Sequence, residues 1–159
     1  MIRAVVVGDN AVKAWLESRY PLVEKKMSLS MTSLVMKLTR KIKEEKLSGQ
    51  VLKNQTGRLR RSISPNVFGS GASVTGEVKT NVVYASIHEY GGQTKPHVIL
   101  PKRGRALAFE WGGKQVFFRK VNHPGSKMPE RSFMRTALAE MKPEILAEFN
   151  NALAEVVRI

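Results

Sequence analysis

The 159-residue sequence predicts an α+β fold: a small, mostly antiparallel sheet with a long N-terminal helix and a C-terminal helix packed on it. Three observations carry that reading. Met27, Met31, Leu34, Leu38 and Ile42 recur at steps of four, three, four and four, which lays one apolar stripe along a helix. Leu138, Met141, Ile145, Phe149, Leu153 and Val156 repeat the pattern near the C-terminus. Between the stripes lie an alternating segment, Ser73 to Val83, and a Gly-Gly hairpin signal at Gly112-Gly113. The length suits one domain, residues 1–159, with a core of its own.

In chain order, Ile2 to Val7 is a β-branched run closed by Gly8-Asp9-Asn10, read as a strand and a turn or helix cap. It is too short for the apolar region of a signal peptide and lacks a small-residue cleavage site. Ala11 to Arg19 is a short helix with Val12, Trp15 and Leu16 on one face. Pro21 either interrupts it or starts the next helix, where a missing N–H costs little. Leu22 to Leu47 is the long helix, and Ser48-Gly49 is its stop. Lys37, Arg40, Lys41, Lys43 and Lys46 crowd its last turns, where cations suit the negative end of the helix dipole; they also read simply as a solvated face.

Thr56-Gly57 is a turn into a basic segment that carries Leu59 and Ile63. Arg58, Arg60 and Arg61 there fit contact with phosphate or a carboxylate partner; a short amphipathic piece leading into the sheet fits equally. Gly69-Ser70-Gly71 is a flexible connection. Ser73 to Val83 is a half-buried antiparallel strand with Val74, Gly76, Val78 and Thr80 on one face. In Asn81 to Gly92, Tyr84, Ile87 and Tyr90 stand three apart and share one side of a helical turn, which they anchor on the sheet. Pro96 opens an extended Val-Ile-Leu run that Pro101 closes, and Lys102 to Arg105 is a basic loop. Residues 106–111 and 114–121 are the hairpin strands, with Leu107, Phe109 and Trp111 on one face. His123 to Ser126 is an extended turn, and Pro129 sits where a helix can begin. Pro143 interrupts the last apolar stripe near its start, so a kink or restart is expected there.

Charge dominates the composition. Lys plus Arg is 27 and Asp plus Glu is 13, a net +14. Such an excess attracts polyanions or acidic protein surfaces. The chain has no cysteine, which excludes disulfides, thiolate zinc sites and cysteine nucleophiles and fits synthesis in the cytoplasm. No apolar run approaches the ~20 residues of a membrane helix, so no membrane is expected.

Catalytic constellations are missing class by class. His88, His97 and His123 have no metal-ligand spacing, and a zinc site would have to gather them from three loops. Ser70 lacks a nucleophile elbow, and no phosphate-binding glycine motif occurs. Asp9 is the single aspartate, which is poor material for a metal-dependent nuclease. No cofactor, metal or catalytic group is expected. The adjacent His88 and Glu89 leave open a weaker reading as a hydrolase acid–base pair.

Three segments carry a family likeness. Thr56-Gly57-Arg58-Leu59-Arg60-Arg61-Ser62-Ile63 resembles the TGxLRxSI segment that follows the long helix in phage morphogenesis proteins. Tyr84-Ala85-Ser86-Ile87-His88-Glu89-Tyr90-Gly91-Gly92 resembles their YAxxHExG(G) box. Pro129-Glu130-Arg131-Ser132-Phe133 is similar to their P-x-R-P-F segment, with Ser132 in place of the second proline. In this order they resemble the minor tail-component and tail-completion proteins of long-tailed phages. The resemblance implies a structural, non-enzymatic role at the tail or the head–tail neck, as a ring-forming oligomer around the DNA channel. It implies assembly in the host cytoplasm and residence in the virion, with other tail or neck proteins as partners and non-specific contact with channel DNA. The interface or channel residues expected on this reading are Arg58, Arg60, Arg61, His88, Glu89, Lys102, Arg103, Arg105 and Arg131. Candidate surfaces are the Pro96 to Arg105 loop, the Gly112-Gly113 hairpin and the outer face of the long helix. The rival reading is a basic nucleic-acid-binding module whose Arg58, Arg60, Arg61, Lys102, Arg103 and Arg105 touch phosphates.

Overall fold

A computed structural model describes residues 9–53, 55–70, 73–102 and 104–158. The expected first strand, Ile2 to Val7, lies outside the described residues. The fold is α+β, and all paired strands are antiparallel. The chain divides into two compact units, residues 1–83 with 132–159, and residues 84–131.

The first unit is built on two helices. α1 runs from Asp9 to Lys41 and α4 from Met134 to Arg158. The short helix and the long helix expected from sequence are one: α1 passes through Pro21 without a break. At a proline a helix loses one hydrogen bond and bears a steric cost, and neither suffices here to end it. α4 likewise passes through Pro143. Past Lys41 the chain widens into a π-helical stretch, Ile42 to Gln50, which Gly49 kinks near its end with a positive φ of 129°. The backbone N–H groups of Val51 and Leu52 both donate to the carbonyl of Lys46, at 3.2 Å, and so cap the stretch.

α1 and α4 run antiparallel, and their ion pairs give the register. Lys26 meets Glu155 at 2.6 Å, Lys37 meets Glu144 at 2.8 Å, and Lys41 meets Glu140 at 3.1 Å. Steps of eleven and four up α1 match steps of eleven and four down α4. Lys46, with its side chain only 8% exposed, adds a second contact to Glu140 at 2.6 Å. The lysines read from sequence as a wet face are thus in part a zipper. The pairs leave a titration signature. The Lys37 ammonium is held above its ordinary range by its hydrogen bond to Glu144, and that of Lys41 by Glu45 and then Glu140. The Glu140 carboxyl is held down by Lys46 and then Lys41, and that of Glu155 by Lys26.

The expected α1 stripe faces inward: Leu34 and Ile42 are buried, and Met27, Met31 and Leu38 are half-buried. Of the expected α4 stripe, Met141 and Val156 are buried and Ile145 and Phe149 half-buried, while its two leucines lie at the edge. Ala137, Met141, Ala152 and Val156 are the buried residues, while Leu138 and Leu153 are 49% and 41% exposed. Small Ala137 and Ala152 thus share the buried side of α4 with Met141 and Val156.

Gly57, in the left-handed region at φ 70°, turns the chain into α2, Arg58 to Ser62. Ile63 follows, 1% exposed. β1, Ser64 to Ser70, then pairs with β2, Ser73 to Lys79, over seven positions from Ser64↔Lys79 to Ser70↔Ser73. β1 is absent from the sequence reading because proline, asparagine and glycine dilute its strand signal; its pairing with β2 supplies what propensity lacks. Gly69 and Ser70 of the expected flexible connection belong to β1, and Gly71 lies outside the described residues. β2 lies on α1 at Gly76, where a Cβ would collide with Val35 and Met31.

The second unit is one interrupted two-stranded ribbon with a helical turn at its base. α3 spans Ala85 to Tyr90. Three strand pairs nest in order: β3 (Gly92–Gln93) with β8 (Lys127–Met128), β4 (His97–Ile99) with β7 (Val121–His123), and β5 (Leu107–Trp111) with β6 (Lys114–Phe118). Gly112 and Gly113 close the tip at φ 58° and 75°, the primed-turn geometry expected of that pair. Two expectations are corrected here. The residues that seat α3 are Ala85 and Glu89, not the aromatics: Tyr84 is 40% and Tyr90 65% exposed. A helix this short buries one narrow line, and that line runs through positions 85 and 89, four apart. Nor does Pro129 start the last helix, which begins at Met134. Phe133, just before it, is 0% exposed, and its burial ties down the chain at that point.

Candidate functional site

The three family-like segments share a physical property: each drives a buried anchor. Ile63 ends the first at 1% exposure, and Phe133 ends the third at 0%. The middle segment buries Ala85 at 5% and Glu89 at 4% exposure. The second and third segments also meet through backbone. The N–H of Arg131 donates to the carbonyl of His88 at 2.8 Å. A Cβ on Gly91 would lie 2.9 Å from the Glu130 nitrogen and 3.1 Å from the Met128 carbonyl oxygen, so only glycine fits. The box that invites a catalytic reading is the seat on which residues 128–131 rest. The rings of Tyr84 and His88 stand edge to face, 6.0 Å apart, and His88 thus acts through its carbonyl and ring packing.

The expected interface residues separate into two groups. Arg58, Arg60 and Arg61 are exposed along α2 in the first unit. Arg61 also donates to the carbonyl of Thr56 at 3.0 Å, which orders the segment. Lys102, Arg105 and Arg131 are exposed in the second unit, with half-buried His88 and buried Glu89. Arg103 lies outside the described residues. Among the described residues, none of these arginines and neither Lys102 nor His88 forms an ion pair. The charge is therefore partitioned: Lys26, Lys37 and Lys41 of α1 pair with glutamates of α4, and the described arginines of α2 and the ribbon face outward.

The ribbon also exposes large apolar side chains. Val98, Leu100, Trp111 and Phe117 are 55%, 61%, 68% and 65% exposed. On one hairpin face Phe109 stacks on Phe118 with ring centres 5.7 Å apart, and on Trp111 at 6.4 Å. Among the described residues of the second unit only Ala85 and Glu89 are buried. Two-stranded ribbons with so little buried surface are marginal alone.

His97 and His123, register partners in β4 and β7, stack at 5.0 Å. The His97 Nδ1–H donates to the Lys95 carbonyl at 3.1 Å, and His123 Nδ1 accepts from the Gly125 N–H at 3.0 Å. Both rings thus serve the ribbon backbone. Sequence reasoning missed this pair because the residues are twenty-six apart and only strand register joins them. Among the described residues no three His, Cys, Asp or Glu gather as metal ligands. Nor, among those residues, is any helix long and apolar enough to cross a membrane.

The profile of the phage virion morphogenesis family matches residues 32–154, most of the chain. The chain belongs to the phage virion morphogenesis family. No curated protein and no solved structure gives a significant match. This family member is a phage tail and virion morphogenesis protein, a component of the virion whose partners are other virion proteins. Its family is structural and typically non-enzymatic. The match begins inside α1, so the first part of that helix precedes the shared region.

Proposed function

We propose that this virion protein acts in tail completion or head–tail (neck) joining, without catalysis, as a ring-forming oligomer around the DNA channel. The whole chain acts in this reading as one tail-completion domain. One observation carries it: the ribbon of residues 84–131 buries almost nothing of its own yet exposes aromatics among nine Lys or Arg against three Glu. Apolar side chains rimmed by cations suit an acidic, partly apolar surface on a neighbouring virion protein. Aromatic and arginine side chains are also the ones that most often dominate interface energy. The outward arginines of α2 suit non-specific contact with DNA phosphates, and that contact is sequence-blind and weakened by salt.

Electron microscopy of lysates from phage unable to make the protein tests the role. Filled heads beside completed but unjoined tails are expected. Joined, infectious particles in normal yield would overturn the proposal. Tight, salt-steep duplex binding by the isolated chain, with virions unaffected by its loss, would instead support a nucleic-acid-binding module.

A further inference from the structure

The ion-pair register shows that α1 outruns its partner helix. Lys26 pairs with Glu155, and α4 ends at Arg158, about one turn further on. The residues of α1 before about position 22 therefore continue beyond α4, an overhang of about 20 Å at a rise of ~1.5 Å per residue. Every residue from Asn10 to Ser18 is exposed. Val12, Trp15 and Leu16, on one face, are 58%, 42% and 56% exposed, and the Arg19 guanidinium lies 5.6 Å over the Trp15 ring. A free helical extension of this length is marginal in water without something to cover its apolar face.

The same unit holds an open apolar groove at the root of this extension. Its volume is ≈ 440 Å³, and Val23, Met27, Met31, Val74, Phe149 and Leu153 line it where α1, β2 and α4 meet. That size lies within the roughly 300–1,000 Å³ of pockets that take a small ligand or a few side chains. Charge decides between occupants. The chain as a whole carries +14, so most of its surface repels a second copy. The extension does not: Asp9 and Glu17 balance Lys13 and Arg19 between residues 9 and 20. The groove is similarly poor in charge, with Glu24 the one ionisable carboxylate or cation on its wall.

We infer that the α1 extension of one copy docks its Val12, Trp15 and Leu16 face into the Met27–Phe149–Leu153 groove of a second copy. The inference rests on the self-assembly reading above and names its contact. Two different surfaces meet, so the contact is heterologous and propagates from copy to copy until it closes.

The chain has no cysteine, which permits a direct test. Leu16→Cys and Leu153→Cys are made separately in the full chain, both at exposed positions. The two proteins are mixed and oxidised, so any disulfide joins different copies. A Cα separation under about 7 Å is needed for that bond. The L16C–L153C hybrid is expected in excess over an L16C–M36C hybrid, Met36 being exposed on the same helix. Sedimentation of a Trp15→Glu variant should show self-affinity weakened at least about 30-fold, as for a central interface aromatic, with an unchanged circular dichroism spectrum. Self-association with no excess of the hybrid, or with Trp15→Glu as tight as the parent, would overturn the docking while leaving a ring intact. Absence of self-association at any concentration would overturn both.

Discussion

Replacing Gly76 by alanine tests how β2 lies on α1. Gly76 has no positive φ, so alanine should fit the backbone and ordinarily stabilise by about 0.4–1 kcal/mol through the unfolded chain. The structure reverses that sign. The added Cβ would lie 2.5 Å from the Met31 sulfur and closer still to a Val35 methyl. Met31 can rotate away, but Val35 is β-branched, stiff in a helix and 5% exposed. Overpacking of this kind costs about 1–3 kcal/mol, so the net expectation is a loss of about 1–2 kcal/mol. For a domain of this size that lowers Tm by about 2–8 °C. Thermal melts of Gly76→Ala, Val35→Ala and the double variant form a cycle. The double variant should be more stable than the sum of the singles by at least about 0.5 kcal/mol, because Val35→Ala vacates the space the new methyl needs. A stabilised Gly76→Ala, or strictly additive singles, would refute the close approach of strand and helix.

Other expectations follow from the same structure. Phe133→Ala removes a side chain that is 0% exposed and should cost about 3–5 kcal/mol in urea unfolding. The α1–α4 pairs predict a pH profile. Glu140 and Glu155 titrate below 4.5 when folded, so their contribution is present above that value and is lost as pH falls through the lowered folded values. Lys37 and Lys41 titrate above 10.5 when folded, so theirs is present below that value and is lost as pH rises through the raised ones. Melting followed against pH should therefore show a plateau between the two limits, and Glu155→Gln should flatten its acid limb. Arg58, Arg60 and Arg61 changed together to glutamine should shift Tm by no more than about 6 °C, since each surface change rarely exceeds about 0.5 kcal/mol. The same change should lower the log–log salt slope of duplex binding by up to about three.

The helices were legible because their signals are periodic and long. The Met27 to Ile42 stripe points inward as read, and Gly112-Gly113 makes the turn its two glycines require. Three features were not legible, each for a physical reason. β1 depends on a partner strand rather than on its own residues. The burial of Ala137 and Ala152 on α4 was not signalled, because a small alanine carries little apolar signal of its own. The lysines at 37, 41 and 46 find their glutamates across about a hundred residues, a pairing that only the antiparallel register creates. At the candidate site, the sequence boxes were visible, but not the contacts that their residues make. His88 and Glu89 look catalytic in sequence because they are adjacent and polar. In the fold they part: the His88 carbonyl holds Arg131, and Glu89 is buried.

The ring reading is tested most directly by cryo-electron microscopy of intact virions with this protein located in the map. The account predicts a closed ring of copies at the head-proximal end of the tail, coaxial with the channel, with the α2 arginines facing the DNA. Virions that lack the protein, or carry it as isolated copies away from the channel axis, would contradict it.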